Sequence, residues 1–169
     1  MKTQNTRALF MAQAAMIAAL YIVLTFVANA FGLANYAVQV RFSEALTILP
    51  YFTPAAIPGL YIGCLLSNIL TGCALPDIVF GSLATLLGAL GTYALRRWKW
   101  CAPLPPILAN TLIVPLVLIY GYGLAVEGRS TLQCYGFYCL TVGAGEVISC
   151  GILGMILLAI LEKYKGRIF

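Results

Sequence analysis

The amino-acid sequence predicts an all-α membrane protein with six transmembrane helices, and three observations lead to this fold class. Hydrophobic residues make up 62% of the 169-residue chain and charged residues only 9%, whereas soluble domains carry about 25% charged residues. The mean hydropathy is +0.97. Long apolar stretches alternate with short loops, and the basic residues gather in only some of those loops. A single membrane-embedded domain over residues 1–169 is therefore expected.

Six stretches of the chain are predicted to cross the membrane. A crossing helix needs roughly 20 mainly apolar residues, and fewer if it is tilted or shielded by protein. Ala8–Phe31 meets this length, is broken only by Gln13, Thr25 and Asn29, and is expected to be a retained helix rather than a cleaved signal peptide. Three prolines in residues 50–58 must end or kink helices there. The predicted spans are Ala8–Phe31, Phe42–Phe52, Ile57–Thr71, Ile78–Leu95, Leu104–Leu124 and Tyr135–Leu161.

The basic residues predict the orientation of these spans, because lysine and arginine concentrate in cytoplasmic loops. With six crossings, three basic groups fall on one side of the membrane, and both termini are expected in the cytoplasm. The net charge of +5 follows from these short flanking clusters and does not indicate nucleic-acid binding. The groups are Lys2 and Arg7, then Arg96, Arg97 and Lys99, then Lys163, Lys165 and Arg167, whereas Arg41 and Arg129 fall on the outer side.

Several chemistries are disfavoured by residues that the chain lacks. It contains no histidine, and its six cysteines are scattered without a CxxC pair, so we expect no metal site, no cofactor and no Cys-His nucleophile. Most cysteines are expected to pack as small apolar residues, although Cys134 and Cys139 lie toward the outside, where they could pair. The chain has no GxxxxGK[ST] phosphate loop, so it is not expected to hydrolyse ATP alone.

Polar residues inside the spans are the candidate site residues, since ionisable groups within a membrane mark functional sites by default. Glu146 is the carboxylate of the apolar stretch 141–161, and close helix packing does not require a carboxylate there. Asp77 either belongs to the site or caps its helix. Asn68 and Asn110 either contact a ligand or bridge helices. The glycine, serine and threonine residues of these spans are expected to let helices approach closely.

Two further features belong to the outer half of the predicted bundle. Arg41 and Glu44 are three residues apart, so on a helix they share a face. They form either an interfacial ion pair or a polar rim over a binding pocket. Aromatic side chains that could stack on a ligand there, although most are expected in the interfacial belt, are Tyr36, Phe42, Phe80, Tyr120, Tyr135, Phe137 and Tyr138.

Four segments carry a resemblance to a known family. They are VRFSEALTILPYFTPAAIPGLYIGCLLSNIL, DIVFGSLATLLGALGTYALRR, APLPPILANTLIVPLVLIYG and LTVGAGEVISCGILG. In their order and spacing, nearly the whole chain resembles the substrate-binding S components of energy-coupling factor (ECF) transporters. More narrowly, it resembles the QueT type, which is associated with queuosine precursors. The loop VEGRSTLQC between the last two spans departs from the resemblance.

The resemblance implies an S-component-like bundle in a bacterial cell membrane that captures a small molecule outside the cell. The implied partners are an ECF transmembrane coupling subunit and two cytoplasmic ATPases. The implied ligand is a 7-deazaguanine such as preQ1 or queuine, whose ring N–H and amino group suit a bidentate carboxylate. Glu146 is the first candidate for that role, with Glu44 or Asp77 for a second. Asn68 and Asn110 offer donors and acceptors for the remaining ring atoms.

A stripe of small residues follows the first span at spacings of four, three and four. Such a stripe allows another helix to approach closely, either from a partner or from the same bundle. The resemblance favours the partner, because the family's alanine-rich contact motif has a counterpart in AMIAA. The residues of this alanine stripe are Ala8, Ala12, Ala15 and Ala19.

Three other functions remain open from the sequence. The chain could be an S component for another vitamin-like molecule. It could be a small membrane enzyme with Glu146 and Asp77 as acid and base, although the absence of histidine and of a clustered carboxylate motif disfavours this. It could also be an assembly or channel protein without a transported ligand.

Overall fold

The computed structural model describes residues 2–32, 40–124, 128 and 130–164, with side chains from residue 6 onward. Within those ranges every regular element is helical and no strand occurs, which confirms the all-α class. Some residues to which the sequence analysis gave a role lie outside this description, namely Tyr36, Arg129, Lys165, Arg167 and the side chain of Lys2.

The first helix, α1, spans Lys2–Ala30. It contains neither glycine nor proline, so no residue within it weakens or removes the helical hydrogen bonding. The helix ends where Gly32 takes a φ of 70°, which glycine adopts without strain, and the N–H of Gly32 donates to the carbonyl of Asn29 at 2.9 Å. The long helix follows from the long uninterrupted apolar stretch.

The second predicted span is a 3₁₀ helix rather than an α-helix. This 3₁₀ segment covers Phe42–Tyr51, and all residues from Ser43 to Pro50 are buried. At about 2.0 Å per residue it extends about 20 Å, which is shorter than the roughly 30 Å hydrocarbon core of a bilayer. It contacts α1 and the later helices that begin at Ala56, Ser82 and Gly154, so it forms part of the interior of the bundle.

Prolines mark the start of α2, which spans Ala56–Leu70. Pro54 lies in the turn that precedes the helix. Pro58 falls in the first helical turn, where backbone N–H groups have no partner within the helix and a proline costs little. The predicted break between the second and third spans is therefore confirmed.

The next two helices form an antiparallel pair. Asp77–Gly81 winds as a π-helix and continues directly into α3, Ser82–Ala94. A one-turn 3₁₀ helix at Lys99–Cys101 then leads into α4, Leu104–Tyr120. Prolines also occupy the first turn of α4, where they are tolerated.

The chain ends in one long composite helix. It consists of α5 at Thr131–Glu146, a π-helical segment at Val147–Leu153 and α6 at Gly154–Lys163. Its start is a capping box, in which Gln133 N–H donates to the Ser130 hydroxyl and Ser130 N–H donates to the Gln133 side chain. The predicted start at Tyr135 was therefore four residues too late, although the capping signal is visible in the sequence.

Four helices of the described chain are long and apolar enough to cross a membrane. They are Thr6–Ala30, Asp77–Ala94, Lys99–Tyr120 and Thr131–Lys163. The apolar helix α2 is shorter. Large apolar side chains such as Met11, which is 70% exposed, and Leu140, which is 76% exposed, cover the outside of the bundle. This outer surface is that of a multi-pass membrane protein.

Glycines allow the helices to approach closely, as the sequence predicts. A Cβ atom on Gly59 would lie 2.7 Å from the carbonyl oxygen of Ala14, and one on Gly63 would lie 2.8 Å from Cβ of Tyr21. A Cβ atom on Gly88 would lie 2.7 Å from Cα of Pro106. These contacts join α1 to α2 and α3 to α4, and they exclude any larger residue.

Candidate functional site

A cavity of about 490 Å³ opens at the end of the bundle where α1, α2 and α4 end and the π-helix before α3 begins. This volume is within the range of about 300–1,000 Å³ that is usual for small-molecule sites. We call it the outer cavity. Polar residues from five separate parts of the chain face it, together with apolar residues of α4. The outer cavity is lined by Thr25, Ala28, Asn29, Arg41, Asn68, Thr71, Cys73, Asp77, Val114, Leu118, Tyr122 and Leu124.

A second, much smaller space adjoins the outer cavity. Its volume is about 10 Å³, which is close to the minimum for one water molecule. Arg41 and Val114 line both spaces, so the two are neighbours. We call the smaller one the inner void, and its lining residues are Arg41, Gly81, Thr85, Asn110, Val114, Val142 and Glu146.

Glu44 lies at the buried centre of the bundle and is held by two protein donors. It is only 1% exposed. The Tyr21 hydroxyl of α1 donates a short hydrogen bond to Oε1 of Glu44, and the Asn110 amide of α4 donates to Oε2 at 3.3 Å. Each carboxylate oxygen therefore accepts a hydrogen bond from a different helix, so Glu44 links the 3₁₀ segment to α1 and α4. Glu44 lines neither the outer cavity nor the inner void.

Glu146 reaches the same region from the end of α5 with a different set of contacts. Its Oε2 atom lies 3.1 Å from the thiol sulfur of Cys150, one turn further along the chain. A thiol is a weak donor, and the Asn110 side chain, which donates to Glu44, also interacts with the Glu146 carboxylate. Glu146 also lines the inner void. Its carboxylate is therefore placed to accept hydrogen bonds from a bound molecule.

Glu44, Glu146 and Cys150 form a compact group. One ligand atom from each lies within 4.8 Å of the others, a spacing that would also suit a metal ion. However, the oxygens of Glu44 already accept hydrogen bonds from Tyr21 and Asn110. The contacts in this group therefore favour hydrogen bonding over metal coordination.

Asp77 is the carboxylate of the outer cavity. The Tyr122 hydroxyl donates to its Oδ2 atom at 3.1 Å, and a guanidinium nitrogen of Arg41 lies 3.9 Å from the same oxygen. Desolvation raises the pKa of Tyr122 to about 12, and the negative charge of Asp77 adds to the shift, so the hydroxyl remains protonated and able to donate. Asn68 lies beside Asp77, with its amide nitrogen 3.4 Å from the backbone oxygen of Asp77.

Both helices that carry a site carboxylate change their winding at that residue. Asp77 is the first residue of one π-helical segment, and Glu146 immediately precedes the other. Single π-helical turns inside α-helices occur frequently at functional sites. Gly81 leaves room beside Asp77, because a Cβ atom there would lie 3.0 Å from Oδ1 of Asp77.

The charges around the two spaces do not balance. Glu44, Asp77 and Glu146 are each 7% exposed or less, and the guanidinium of Arg41 is the positive group that lines both spaces. If all four groups ionise, the described residues carry three negative charges and one positive charge in this region, although Glu44 lines neither space. Such a site favours a ligand that is rich in hydrogen-bond donors or positively charged.

Comparison with known proteins assigns the family. A family model described as QueT transporter matches residues 11–163. This chain belongs to the QueT transporter family. A curated relative, the queuosine precursor transporter QueT of Lactococcus lactis subsp. cremoris (strain MG1363), is 34% identical over 86 residues. That match covers 50% of this chain and 50% of the relative, so the chain spans about half the length of the curated protein it matches. No solved structure matches this chain.

The six residues predicted for the site of this QueT-family protein lie in one connected region that runs from the outer cavity to the buried Glu44. Three of them, Arg41, Asn68 and Asp77, line the outer cavity. Asn110 and Glu146 line the inner void, and Glu44 lies behind Asn110. The alternative of an interfacial Arg41–Glu44 ion pair is not seen, because the ion pair of Arg41 is with Asp77.

Several residues that line the outer cavity were not predicted from the sequence. Tyr122 lies beyond the end of α4 and was not among the predicted aromatics, whereas Phe80 and Tyr120 are 52% and 75% exposed and do not line it. Thr25 and Asn29 were noted only as breaks in an apolar span. A signal was present, because Tyr21 lies four residues before Thr25, and Asn29 four residues after it, along one face of α1.

The alanine stripe of this QueT-family protein lies on the outside of the bundle. Ala8, Ala12, Ala15 and Ala19 are all exposed, whereas Ala14, Ile17 and Ala18 lie against the glycines of α2. The stripe therefore does not pack within the bundle.

The sequence left open whether Cys134 and Cys139 of α5 form a disulfide. The structure contains no disulfide between these two residues.

Proposed function

We propose that this QueT-family protein is the substrate-binding S component of an ECF-type transporter and captures a 7-deazaguanine outside the cell. The observation that carries the proposal is the outer cavity, which is lined by Asp77 and adjoins the inner void, where the buried Glu146 lies. The printed name of the Lactococcus relative, a queuosine precursor transporter, agrees with such a ligand.

In the proposed complex, the inner void of about 10 Å³ widens to admit the edge of the base, and Glu146 accepts hydrogen bonds from its ring N–H and exocyclic amino group. A bidentate, charge-assisted pair of this kind is roughly twice as strong as a pair of neutral hydrogen bonds. Asn110 and Asn68 offer amide groups to the ring carbonyl and nitrogens. Tyr122 contributes an aromatic ring to the wall of the cavity. Glu44 supports this arrangement from behind through its bond to Asn110.

The proposed partners are an ECF transmembrane coupling subunit and two cytoplasmic ATPases. The chain has no phosphate-binding loop of its own, so energy must come from other subunits. The exposed alanine stripe on α1 offers a smooth surface, and small residues let a neighbouring membrane helix approach closely. We assign this stripe to the contact with the coupling subunit.

The proposed topology has six crossings with both termini in the cytoplasm. In this topology, the four longer helices supply four crossings, and α2 and the 3₁₀ segment supply the other two. The ion pair between Lys99 and Glu162 supports this topology, because it joins the loop before α4 to the end of α6. Two of the basic groups of the chain therefore lie at the same end of the bundle, as the positive-inside rule requires.

Binding and uptake experiments test this function together. Purified protein should bind preQ1 or queuine in a calorimetric titration, and the ligand that co-purifies from cells can be identified by mass spectrometry. Vesicles that contain the chain alone should not accumulate the ligand, whereas vesicles with the ECF subunits and ATP should. ATP-driven accumulation by the chain alone would contradict the S-component assignment.

The alanine stripe provides a test that separates binding from transport. Ala15→Trp or Ala19→Trp places a bulky side chain on the exposed face of α1, so uptake in the complete vesicle system should fall to near background. Ligand affinity of the isolated subunit should be unchanged, because the cavity lies elsewhere. Leu9→Trp, on the exposed surface but outside the stripe, is the matched control. Loss of binding together with uptake in the alanine variants would mean that the stripe is structural.

A further inference from the structure

Asp77 is the site carboxylate with the most open surroundings. It lines the 490 Å³ outer cavity, whereas Glu146 lines a void of about 10 Å³ and Glu44 lines neither space. A ligand group of several atoms can therefore approach Asp77 directly. Glu146 can be reached only by a part of a ligand for which the inner void widens, and Glu44 lines neither space.

The positive charge that faces Asp77 is held at a distance. The nearest guanidinium nitrogen of Arg41 is 3.9 Å from Oδ2 of Asp77, beyond hydrogen-bonding range, and its side chain is 22% exposed. The Tyr122 hydroxyl donates to the same oxygen but carries no charge. Asp77 is thus a nearly buried carboxylate whose cationic neighbour, Arg41, is paired with it by charge but not by a hydrogen bond, and it faces a cavity large enough for a ligand.

The neighbours of Asp77 suit a compact cation better than a second planar group. An ammonium has three donors around one small charged atom, so it can donate to Asp77, to which Arg41 donates no hydrogen bond at 3.9 Å. A nitrile in the same place has no hydrogen to donate and presents a lone pair to the carboxylate. The difference between the two groups is therefore one of charge and hydrogen-bond direction more than of size.

We propose that Asp77 is the specificity-determining residue of the outer cavity and selects ligands that carry a protonated primary amine over uncharged analogues. This inference rests on the proposed function, in which the same site takes a 7-deazaguanine. The inner residues Glu146 and Asn110 read the ring that all such ligands share. The outer Asp77 reads the substituent by which they differ.

The test compares two probes that share the 7-deazaguanine ring. PreQ1 carries an aminomethyl group, and preQ0 carries a nitrile at the same ring position. Wild-type protein should bind preQ1 at least tenfold more tightly than preQ0, which corresponds to about 1.4 kcal/mol or more. Equal affinity of the wild-type protein for the two probes would overturn the selection by charge, and this comparison requires no variant.

Variants then locate the selectivity. Asp77→Asn should lower the affinity for preQ1 at least tenfold and leave that for preQ0 unchanged or improved, while Asp77→Glu should retain the preference. Glu146→Gln should weaken both probes. Glu162→Gln, at the opposite end of the bundle beside Lys99, should change neither. An equal loss of both affinities in Asp77→Asn would contradict the proposal.

The same titrations separate the inference from the function on which it rests. If the wild-type protein binds preQ0 and preQ1 equally, the function stands and the role of Asp77 falls. If the wild-type protein binds neither probe nor queuine, the proposed ligand class itself is wrong, and the selectivity falls with it.

Discussion

Glu44 and Glu146 are two buried glutamates whose surroundings differ in one decisive respect. Glu44 accepts from a tyrosine hydroxyl and from an amide, and it contacts no open space. Glu146 has the Cys150 thiol within hydrogen-bond distance, shares the Asn110 side chain with Glu44, and borders the inner void. Removal of a buried group that lines no space costs stability, whereas a group beside a void is available to a ligand. We therefore propose that Glu44 belongs to the scaffold and Glu146 to ligand binding.

The largest effect is expected for Glu44→Ala. This change leaves the buried Tyr21 hydroxyl and the Asn110 amide without their acceptor, at a cost on the order of 1–3 kcal/mol for each unsatisfied group. The ligand-free variant should unfold at a clearly lower temperature than the wild type in a thermal melt. Glu162→Ala serves as the control, because its pair with Lys99 is partly exposed and contributes little. If Glu44→Ala is as stable as the wild type, Glu44 does not stabilise the fold and the proposed structural role is wrong.

Asn110 takes part in both the scaffold and the candidate site, so Asn110→Ala should affect both the stability of the protein and its affinity for the ligand. The amide donates to Glu44 and also lines the inner void. We expect a loss of stability of about 1.5–3 kcal/mol, as for a hydrogen bond to a charged group, together with weaker ligand binding. A melt and a titration of the same preparation check this. A loss of affinity at unchanged stability would show that the bond to Glu44 contributes little.

The smallest effect is expected for Tyr122→Phe. The change keeps the ring but removes two hydrogen bonds of the hydroxyl, the one donated to Asp77 and the one accepted from the Ala74 N–H. Because Tyr122 is 41% exposed, water can replace its hydroxyl beside both groups, so the affinity for preQ1 should fall by a few-fold and the melting temperature should hardly move. A loss as large as that in Asp77→Asn would instead make Tyr122 a principal ligand contact.

Much of the fold could be predicted from hydropathy and charge, because a bilayer requires long apolar helices. The 3₁₀ winding of Phe42–Tyr51 could not, since a short apolar run does not reveal its hydrogen-bond period. Glu146 could be singled out because a lone carboxylate in an apolar span has no packing role. Its difference from Glu44 could not, because Glu44 is paired by Tyr21 and by Asn110, which are 23 and 66 residues away along the chain.

Tyr122 shows a further limit of the sequence. It lies in a turn after α4, and only the folded chain brings its hydroxyl to Asp77, 45 residues away. By contrast, the regular spacing of the four alanines predicted that they share one face of α1, and all four are exposed. Local periodicity therefore predicts which residues share a helix face, while pairing across the bundle depends on how the helices meet.

Matched glutamine substitutions at the two glutamates test the central claim most directly. Glu146→Gln and Glu44→Gln each keep the size of the side chain and replace one acceptor with a donor. Titration with preQ1 and a melt without ligand should give opposite results for the two variants. Glu146→Gln should lose at least tenfold in affinity, about 1.4 kcal/mol or more, at an equal or higher melting temperature. Glu44→Gln should melt earlier and retain near-wild-type affinity. Unchanged affinity with a lower melting temperature in Glu146→Gln would contradict the account and make Glu146 a structural residue.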